Sequence, residues 1–230
     1  MAEVILALDL PNPDDARRLL DRIPDLDWVK VGPVLLTQAG ASFVQELRRR
    51  RLRVFLDLKW HDIPNTVAGA VESARDMGAA MATVHTLGGL GMLERAARAA
   101  GDELALLGVT VLTAHDAESY GRAVGRDRVD LAAEVRRLAG EAQHAGLAGV
   151  VCSSQETALV RQTLGPAALI VVPGIRGRGA ASGDQVRVST AGDAAAQGAT
   201  HLVVGRPILQ AADPAAAFRT LAAEAACTGA

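Results

Sequence analysis

Residues 54–84 read VFLDLKWHDIPNTVAGAVESARDMGAAMATV and contain one full unit of a pattern that recurs along the chain. Two short runs in this stretch, residues 54–58 and 81–84, have the apolar and β-branched composition of β-strands. The residues between them are numerous enough for a helix. Because the strand runs are mostly apolar and do not alternate strictly, we expect strands that are covered on both faces, as in a parallel sheet.

The same alternation of apolar runs with Ala-, Leu- and Arg-rich amphipathic stretches extends over the whole sequence. The predicted strands are residues 4–8, 28–31, 54–58, 81–84, 104–112, 149–152, 169–172 and 202–204. No linker, low-complexity tract or break in composition separates these eight βα units. We therefore predict an α/β fold, a single (β/α)8 TIM-barrel domain over residues 1–230.

An open, doubly wound sheet is the alternative architecture for such a pattern. That fold has a glycine fingerprint directly after its first strand, and Asp9-Leu10-Pro11-Asn12 stands there instead. The residues that follow predict a helix start, because Asn12 is a good N-cap and Pro13 suits the first helical position. Asp213 and Pro214 repeat this arrangement before the last predicted helix.

The composition limits the classes of function. The chain has 230 residues, 50% of them hydrophobic, and a formal net charge of −2, which does not indicate a nucleic-acid-binding surface. Its two cysteines, Cys152 and Cys227, have no metal-binding or redox spacing. The apolar run near the N-terminus is too short to cross a bilayer and lacks signal-peptide features. We expect a soluble, unprocessed, cytoplasmic protein that binds neither nucleic acid nor membrane.

A basic run, Arg48 to Arg51 with Arg53, ends the second predicted helix. Such a run complements the helix dipole, and we expect it to face solvent at the N-terminal rim of the third strand. No aromatic residues that could stack on bases accompany it, which argues against a nucleic-acid interface.

Lysine is almost absent from this chain. Of the 24 basic residues only Lys30 and Lys59 are lysines, and the rest are arginines. Arginine holds its proton too tightly to release it, whereas lysine can act as a proton donor. The two lysines therefore indicate positions where arginine cannot serve, unless they persist by chance, which composition alone leaves open.

Polar residues collect where the predicted strands end. In (β/α)8 barrels the carboxyl ends of the strands form one rim, and catalytic residues lie there. The polar or glycine positions at these ends, in chain order, are Asp9, Lys30, Asp57, Lys59, His85, Thr113, Ser153, Arg176, Gly205 and Arg206. Both lysines are among them, so we expect a polar site at this rim.

The highest density of charge follows the third strand. Asp57 and Lys59 are two residues apart on a strand, so their side chains share one face. Lys30 comes from the neighbouring strand, and Asp62 follows in the turn into the next helix. These four residues predict an alternating network of carboxylates and ammonium groups that keeps the lysines cationic. A buried ion-pair network that only fixes the strand register is the alternative.

The loops after the seventh and eighth predicted strands indicate a phosphate site. Barrels often bind phosphate there through backbone N–H groups and a helix N-terminus. The residues concerned are Gly174, Arg176, Gly177, Gly179, Gly183, Gln185, Gly205 and Arg206. Arg206 adds a bidentate donor, and the first loop is long enough to close over a ligand. Loops that bind no ligand are the alternative interpretation.

Several segments carry a family resemblance when they are taken together. They are Lys30-Val31-Gly32, Asp57-Leu58-Lys59, Asp62-Ile63-Pro64-Asn65-Thr66, Val111-Leu112-Thr113, Pro173-Gly174-Ile175-Arg176, Gly183-Asp184-Gln185 and Val204-Gly205-Arg206-Pro207-Ile208. In this order, between Asp9 and Asp213, they resemble the bacterial orotidine 5′-phosphate decarboxylase family. Related sugar-phosphate decarboxylases and aldolases share the DxKxxD pattern, but the continuation through Thr66 is more specific. Trp60 stands where that family has phenylalanine, and the loop from Gly177 to Gly183 differs in composition.

The resemblance implies an enzyme of pyrimidine biosynthesis that converts orotidine 5′-monophosphate to uridine 5′-monophosphate and carbon dioxide, without a metal or other cofactor. It makes Lys59 the cation and proton donor at C6, places Asp57 near the departing carboxylate, and has Lys30 join the carboxylates to the ribose. The other implied substrate contacts are Asp9 with a ribose hydroxyl, Thr113 with the pyrimidine, and Gln185, Gly205, Arg206 and nearby Arg176 with the phosphate.

The resemblance also implies a second copy of the chain as partner. In such a homodimer, Asp62 and Thr66 reach into the partner subunit's site. Nothing in the spacing of these residues establishes this by itself.

Three other interpretations stay open from the sequence. A metal-dependent decarboxylase or aldolase acting on a keto-sugar phosphate could use Asp57 and Asp62 as magnesium ligands. A zinc site of His61, His85 and His115 is disfavoured, because these residues lack motif spacing. A nucleotide-binding barrel without catalytic activity is the alternative from a different class.

Overall fold

The computed structural model describes residues 1–176 and 189–226, and these contain a closed barrel of eight parallel strands. Each strand pairs with its neighbours in sequence, and the last strand pairs with the first. The strands are β1 Glu3–Ala7, β2 Trp28–Val31, β3 Arg53–Trp60, β4 Met81–His85, β5 Ala105–Val109, β6 Gly149–Val151, β7 Leu169–Val172 and β8 His201–Val204. The predicted (β/α)8 fold is therefore confirmed.

Helices surround the barrel. In the described ranges they are α1 Pro13–Asp21, α2 Pro33–Ala39, α3 Ala41–Arg49, α4 Pro64–Asp76, α5 Leu90–Ala100, α6 Ala117–Val124, α7 Leu131–His144, α8 Thr157–Leu164, α9 Ala191–Ala196, α10 Arg206–Leu209 and α11 Pro214–Ala226. Asn12 caps α1 by accepting a hydrogen bond of 2.8 Å from the Asp14 N–H, and Asp213 accepts one of 3.0 Å from the Ala216 N–H. Both predicted N-caps are confirmed.

The core has two layers on the two faces of the barrel. Outward-facing strand residues such as Leu6, Val29 and Leu56 pack against the helices. Inward-facing residues form a smaller cluster inside the barrel, which consists of Ile5, Ala7, Trp28, Phe55, Met81, Leu107, Val171 and Val203. Because Phe55 faces inward, Asp57 and Lys59 follow it on the same face of β3 and point toward the barrel mouth.

Two strands differ from prediction at the end that carries the candidate site. β3 continues to Trp60, but its register with β4 shifts between Leu56 and Trp60. β5 ends at Val109, three residues before the predicted end, and residues 111–113 leave the sheet to line the cavity at the mouth. The other strands differ by at most one residue at either end.

The second predicted helix is two helices. Gly40 has φ of +68° and separates α2 from α3, a conformation that glycine adopts without steric cost. The arginines at the end of α3 are exposed, as predicted, and they also form contacts. Arg50 lies 2.7 Å from Asp21, and the guanidinium of Arg53 stacks 4.4 Å from the Trp28 ring centroid. This basic run is at the end of the barrel opposite the mouth.

No helix in the described ranges has both the length and the apolar character that crossing a membrane requires. Cys152 is buried, and Cys227 lies outside the described residues.

Candidate active site

A large cavity opens at the carboxyl ends of the strands. It has a volume of about 690 Å³. The predicted site residues that line it are Asp9, Lys30, Asp57, Lys59, Thr113, Arg176, Gly205 and Arg206. Eight residues from six different strand ends thus share one cavity, as expected for the functional face of a barrel.

A chain of ionic contacts crosses one side of this cavity. The Nζ atom of Lys30 lies 2.7 Å from Asp9 Oδ1 and 3.8 Å from Asp57 Oδ2. The Nζ atom of Lys59 lies 2.8 Å from Asp57 Oδ1. We call these four residues the Asp9–Lys59 network. Each lysine has a carboxylate partner, which fixes the orientation of its ammonium group.

The members of this network differ in their access to the cavity. The side chains of Lys30 and Asp57 are only 10% and 14% exposed, whereas that of Lys59 is 37% exposed. A buried charge is costly unless it is paired, which explains why Lys30 sits between two carboxylates. Lys59 is the member whose ammonium group is both oriented by a partner and open to a ligand.

The backbone at Lys59 is unusual. Its φ is +50°, a value that side-chain-bearing residues rarely adopt, and it lies inside the register shift of β3. The Lys59 N–H donates to Thr83 Oγ1 on β4 at 2.9 Å. The Thr83 hydroxyl in turn donates to Asp57 Oδ1 at 3.1 Å. We did not predict a role for Thr83, although a threonine two residues after the inward-facing Met81 was a signal that could have indicated one.

Asp62 and Thr66 differ from the other predicted site residues. Both are exposed, and neither lines the cavity. The Asp62 carboxylate accepts a hydrogen bond of 2.6 Å from the Ile63 N–H, and among the ion pairs of residues 1–176 and 189–226 none includes Asp62. The chain turns outward after Trp60 to enter α4, which carries Asp62 away from Lys59. The expected four-member network therefore contains Asp9 instead of Asp62 within one chain.

The predicted phosphate residues that the structure describes follow β7 and β8, the two strands before the barrel closes on β1. Gly205 and Arg206 follow β8, and Arg176 follows β7. The Arg176 N–H donates to the Ser189 carbonyl at 2.9 Å, so the two residues that flank segment 177–188 meet at this rim. Gln185 and the glycines from Gly177 to Gly183 lie outside the described residues. Arg176, Gly205 and Arg206 thus line the same cavity as the Asp9–Lys59 network.

Apolar residues form much of the rest of the cavity lining. They were not predicted as site residues, and they include Leu10, Phe55, Val109, Val111, Val151 and Val203. A pocket with a mostly apolar lining and a few convergent polar groups is typical of small-molecule sites. Thr113, a predicted site residue, lines the same cavity and offers a hydroxyl group for hydrogen bonding.

The histidines near the mouth do not converge. His61 and His85 stack with ring centroids 5.6 Å apart, whereas His115 Nδ1 lies 3.2 Å from Ser119 Oγ. No group of three potential His, Cys, Asp or Glu ligands with metal-binding geometry occurs among residues 1–176 and 189–226. Burial, followed by the nearby charges of His61 and Lys59, lowers the pKa of His85 to about 4.

This depressed pKa predicts that His85 contributes to acid sensitivity. Above pH 6.5 the ring is neutral in both the folded and unfolded states. Between that pH and about 4 the unfolded chain binds a proton that the folded chain does not, so the free energy of unfolding falls as the pH decreases. We expect urea unfolding at neutral and mildly acidic pH to show a smaller loss of stability for His85→Gln than for the wild type.

His144→Gln is the matched control for this measurement, since His144 is exposed on α7. It should keep the pH dependence of the wild type. An equal loss of stability on acidification in His85→Gln and the wild type would contradict the prediction.

The fold and the cavity together define a class of protein: a (β/α)8 barrel with a lysine–aspartate network and two arginines at the rim where barrel enzymes carry their active sites. Residues 2–221 match the family model described as Orotidine 5'-phosphate decarboxylase / HUMPS family. The chain belongs to this family.

Relatives match nearly the whole chain. Orotidine 5'-phosphate decarboxylase of Halorhodospira halophila is 48% identical over 234 residues, covering 98% of this chain and 97% of the relative. The protein of the same name from Alkalilimnicola ehrlichii is 49% identical, with coverages of 98% and 97%. The crystal structure of orotidine 5'-phosphate decarboxylase from Lactobacillus acidophilus superposes with a TM-score of 0.86 at 35% identity and covers 98% of this chain and 99% of that one.

Proposed function

We propose that this chain catalyses the decarboxylation of orotidine 5′-monophosphate to uridine 5′-monophosphate and carbon dioxide, without a metal or other cofactor. The observation that carries the proposal is the Asp9–Lys59 network, which lines a cavity of about 690 Å³ together with Arg176 and Arg206. The relatives named for this activity, at 48% and 49% identity, support the same conclusion.

The proposed chemistry needs one cation and one proton at the same carbon. The bond between C6 and the carboxyl carbon breaks, carbon dioxide leaves, and the electron pair stays on C6. The Lys59 ammonium group stabilises the developing negative charge and then transfers a proton from Nζ to C6. The neutral amine regains a proton from water after product release. Pairing with Asp57 at 2.8 Å supports this role, because it orients the ammonium group before substrate binds.

The carboxylates and the phosphate contacts have separate tasks. Asp57 lies near the departing carboxylate, where repulsion between like charges favours its loss. Lys30 and Asp9 bind ribose hydroxyl groups, and Thr113 contacts the pyrimidine. Arg206 and Gly205, with Arg176 and Gln185, bind the phosphate. Binding energy at this remote group helps to position C6 against Lys59.

The assay that tests the activity follows the change in pyrimidine absorbance when orotidine 5′-monophosphate is added, with and without a chelator. We expect equal rates in both conditions. Loss of activity with the chelator would favour the metal-dependent decarboxylase or aldolase. Binding of the nucleotide without any absorbance change would favour a nucleotide-binding barrel that has lost catalysis.

A homodimer with shared sites is part of the proposal. Its support is that residues 61–66, which include Asp62 and Thr66, are all exposed beside the cavity mouth. Ile63 in this segment is 67% exposed, and Leu87 and Leu90, which follow the next strand, are more than a third exposed. Exposed apolar side chains at one rim favour burial against a partner. A second copy would also bring Asp62 to a site it does not reach in its own chain. A cytoplasmic location belongs to the same proposal, supported by the small number of cysteines, two in the sequence, and by their lack of redox or metal-binding spacing.

Mixing two inactive variants tests this sharing. Lys59→Ala and Asp62→Ala chains, unfolded and refolded together, form mixed dimers in which one of the two sites has both residues intact. Since half of the dimers are mixed, we expect recovery of up to about one quarter of the wild-type activity per chain. The measurement is the absorbance assay on the mixture and on each variant alone.

The matched control mixes Lys59→Ala with Asp57→Ala. Asp57 and Lys59 belong to the same chain's network, so no mixed dimer has a complete site and no activity should return. Equal activities in both mixtures, or none in the first, would count against shared sites.

A further inference from the structure

Thr83 lies where β3 and β4 meet below Lys59. It is fully buried, with a relative exposure of 0%. Its Oγ1 atom lies 2.9 Å from Lys59 N and 3.1 Å from Asp57 Oδ1. Thr83 does not line the cavity, so it touches two members of the Asp9–Lys59 network without access to a ligand.

The hydroxyl compensates for a defect in the sheet. Regular pairing between β3 and β4 is interrupted from Leu56 to Trp60, and Lys59 has φ of +50° inside this interruption. A positive φ is unfavourable for a residue with a side chain and persists only where the surroundings hold it. Inside this interruption the Lys59 N–H donates to a side chain, the Thr83 hydroxyl.

A hydroxyl group has one hydrogen, and its direction is determined here. Because Oγ1 accepts from the Lys59 N–H, its own hydrogen is free to point to Asp57 Oδ1. The same Oδ1 atom accepts from Lys59 Nζ at 2.8 Å, and Oδ2 faces Lys30 Nζ at 3.8 Å. The Asp57 carboxylate is therefore held by contacts to both of its oxygens. Two of these contacts come from lysine ammonium groups, and the third comes from the uncharged hydroxyl of Thr83.

We propose that Thr83 is a positioning residue, whose single hydroxyl fixes the backbone of Lys59 and the carboxylate of Asp57 in the relative geometry that decarboxylation uses. The inference rests on the proposed function, in which the Lys59 ammonium group acts at C6. It predicts that loss of the hydroxyl lowers the rate of the chemical step more than the affinity for the nucleotide. The reason is that the contacts of the Thr83 hydroxyl are with Lys59 and Asp57, whereas the proposed phosphate contacts are Arg176 and Arg206.

Thr83→Val and Thr83→Ser separate the hydroxyl from the shape of the side chain. Valine keeps the shape and loses both hydrogen bonds, whereas serine keeps the hydroxyl. For Thr83→Val we expect kcat to fall about 10- to 100-fold, with KM changed less than about threefold, because small displacements of catalytic groups have effects of this size. Thr83→Ser should recover kcat to within about threefold of the wild type.

Thr110→Val is the matched control. Thr110 is also fully buried near the mouth, but its hydroxyl donates to the Val151 carbonyl at 2.9 Å and contacts neither Lys59 nor Asp57. It should lower thermal stability as Thr83→Val does while leaving kcat near the wild-type value. If Thr83→Val does not fold, Thr83→Ala removes the same two bonds with a smaller side chain and carries the same prediction. Unchanged kcat in the variant without the hydroxyl, or a loss of kcat in Thr83→Ser or Thr110→Val as large as that in Thr83→Val, overturns the inference.

Crystal structures of the wild type and Thr83→Val distinguish this inference from the proposed function. We expect the variant to lose the contact of 2.8 Å between Lys59 Nζ and Asp57 Oδ1 or the positive φ of Lys59. If the wild type does not decarboxylate orotidine 5′-monophosphate, the proposed function fails, and these structures alone decide the positioning role. An unchanged geometry at both residues in the variant overturns it.

Discussion

Lys59→Arg is expected to lower kcat/KM for orotidine 5′-monophosphate by at least about 10⁴-fold, since general acid catalysis and electrostatic stabilisation are both affected. Arginine keeps the positive charge, but it holds its proton too tightly to transfer it and is longer and planar. The variant therefore separates the charge of residue 59 from its ability to donate a proton. The measurement is steady-state kinetics together with thermal unfolding, which should show a folded barrel.

Arg122→Lys is the matched control, because it exchanges the same two residue types in the opposite direction at an exposed position. Arg122 is exposed on α6, pairs with Glu118 at 2.7 Å and does not line the cavity. Exposed pairs of this kind contribute little, so neither activity nor stability should change measurably. Activity of Lys59→Arg within about tenfold of the wild type would exclude Lys59 as the proton donor.

Arg206→Ala is expected to have the second largest effect. Removing a bidentate, charge-assisted phosphate contact should lower kcat/KM for orotidine 5′-monophosphate about 10²- to 10³-fold. The same substitution should hardly change the much slower reaction of orotidine, which has no phosphate. If binding energy at the phosphate serves to position C6, part of the loss will be in kcat and not only in KM.

Arg219→Ala removes a comparable guanidinium from α11, where Arg219 lies 3.8 Å from Asp25 on the side of the barrel away from the cavity. It should leave the kinetics with both substrates unchanged. Equal losses with orotidine and with its 5′-phosphate in Arg206→Ala would contradict a role in phosphate binding.

The barrel could be predicted from the sequence because its signal is repeated. Each apolar run marks a strand that is covered on both faces, and eight such units leave few other architectures. The bounds of β2 and β7 were predicted without error, since Gly32 follows Trp28–Val31 and Pro173 follows Leu169–Val172. Even the facing of Asp57 and Lys59 followed from their spacing of two residues.

The departures occur where tertiary contacts override local pattern. Lysine has no preference for positive φ, so nothing in the sequence indicated that Lys59 adopts +50° or that the register shifts there. The direction of Asp62 depends on how the chain leaves β3, which spacing alone does not specify. Likewise, the early end of β5 at Val109 depends on the space that the cavity requires.

The candidate site was also predicted only in part from the sequence. The presence of Lys30, Asp57 and Lys59 together followed from strand ends and from the scarcity of lysine. Asp9 joined them in the structure through its contact of 2.7 Å with Lys30. The buried hydroxyl of Thr83 was recognised only from three-dimensional contacts, because threonine within a strand is ordinarily a packing residue.

The central claim is that the Lys59 ammonium group meets C6 of the bound nucleotide, and a crystal structure with uridine 5′-monophosphate tests it most directly. The account predicts Lys59 Nζ about 3 Å from C6, within reach of proton transfer, with the phosphate against Gly205 and Arg206. A structure in which the pyrimidine lies away from Lys59, or the phosphate lies away from Gly205 and Arg206, would contradict the account.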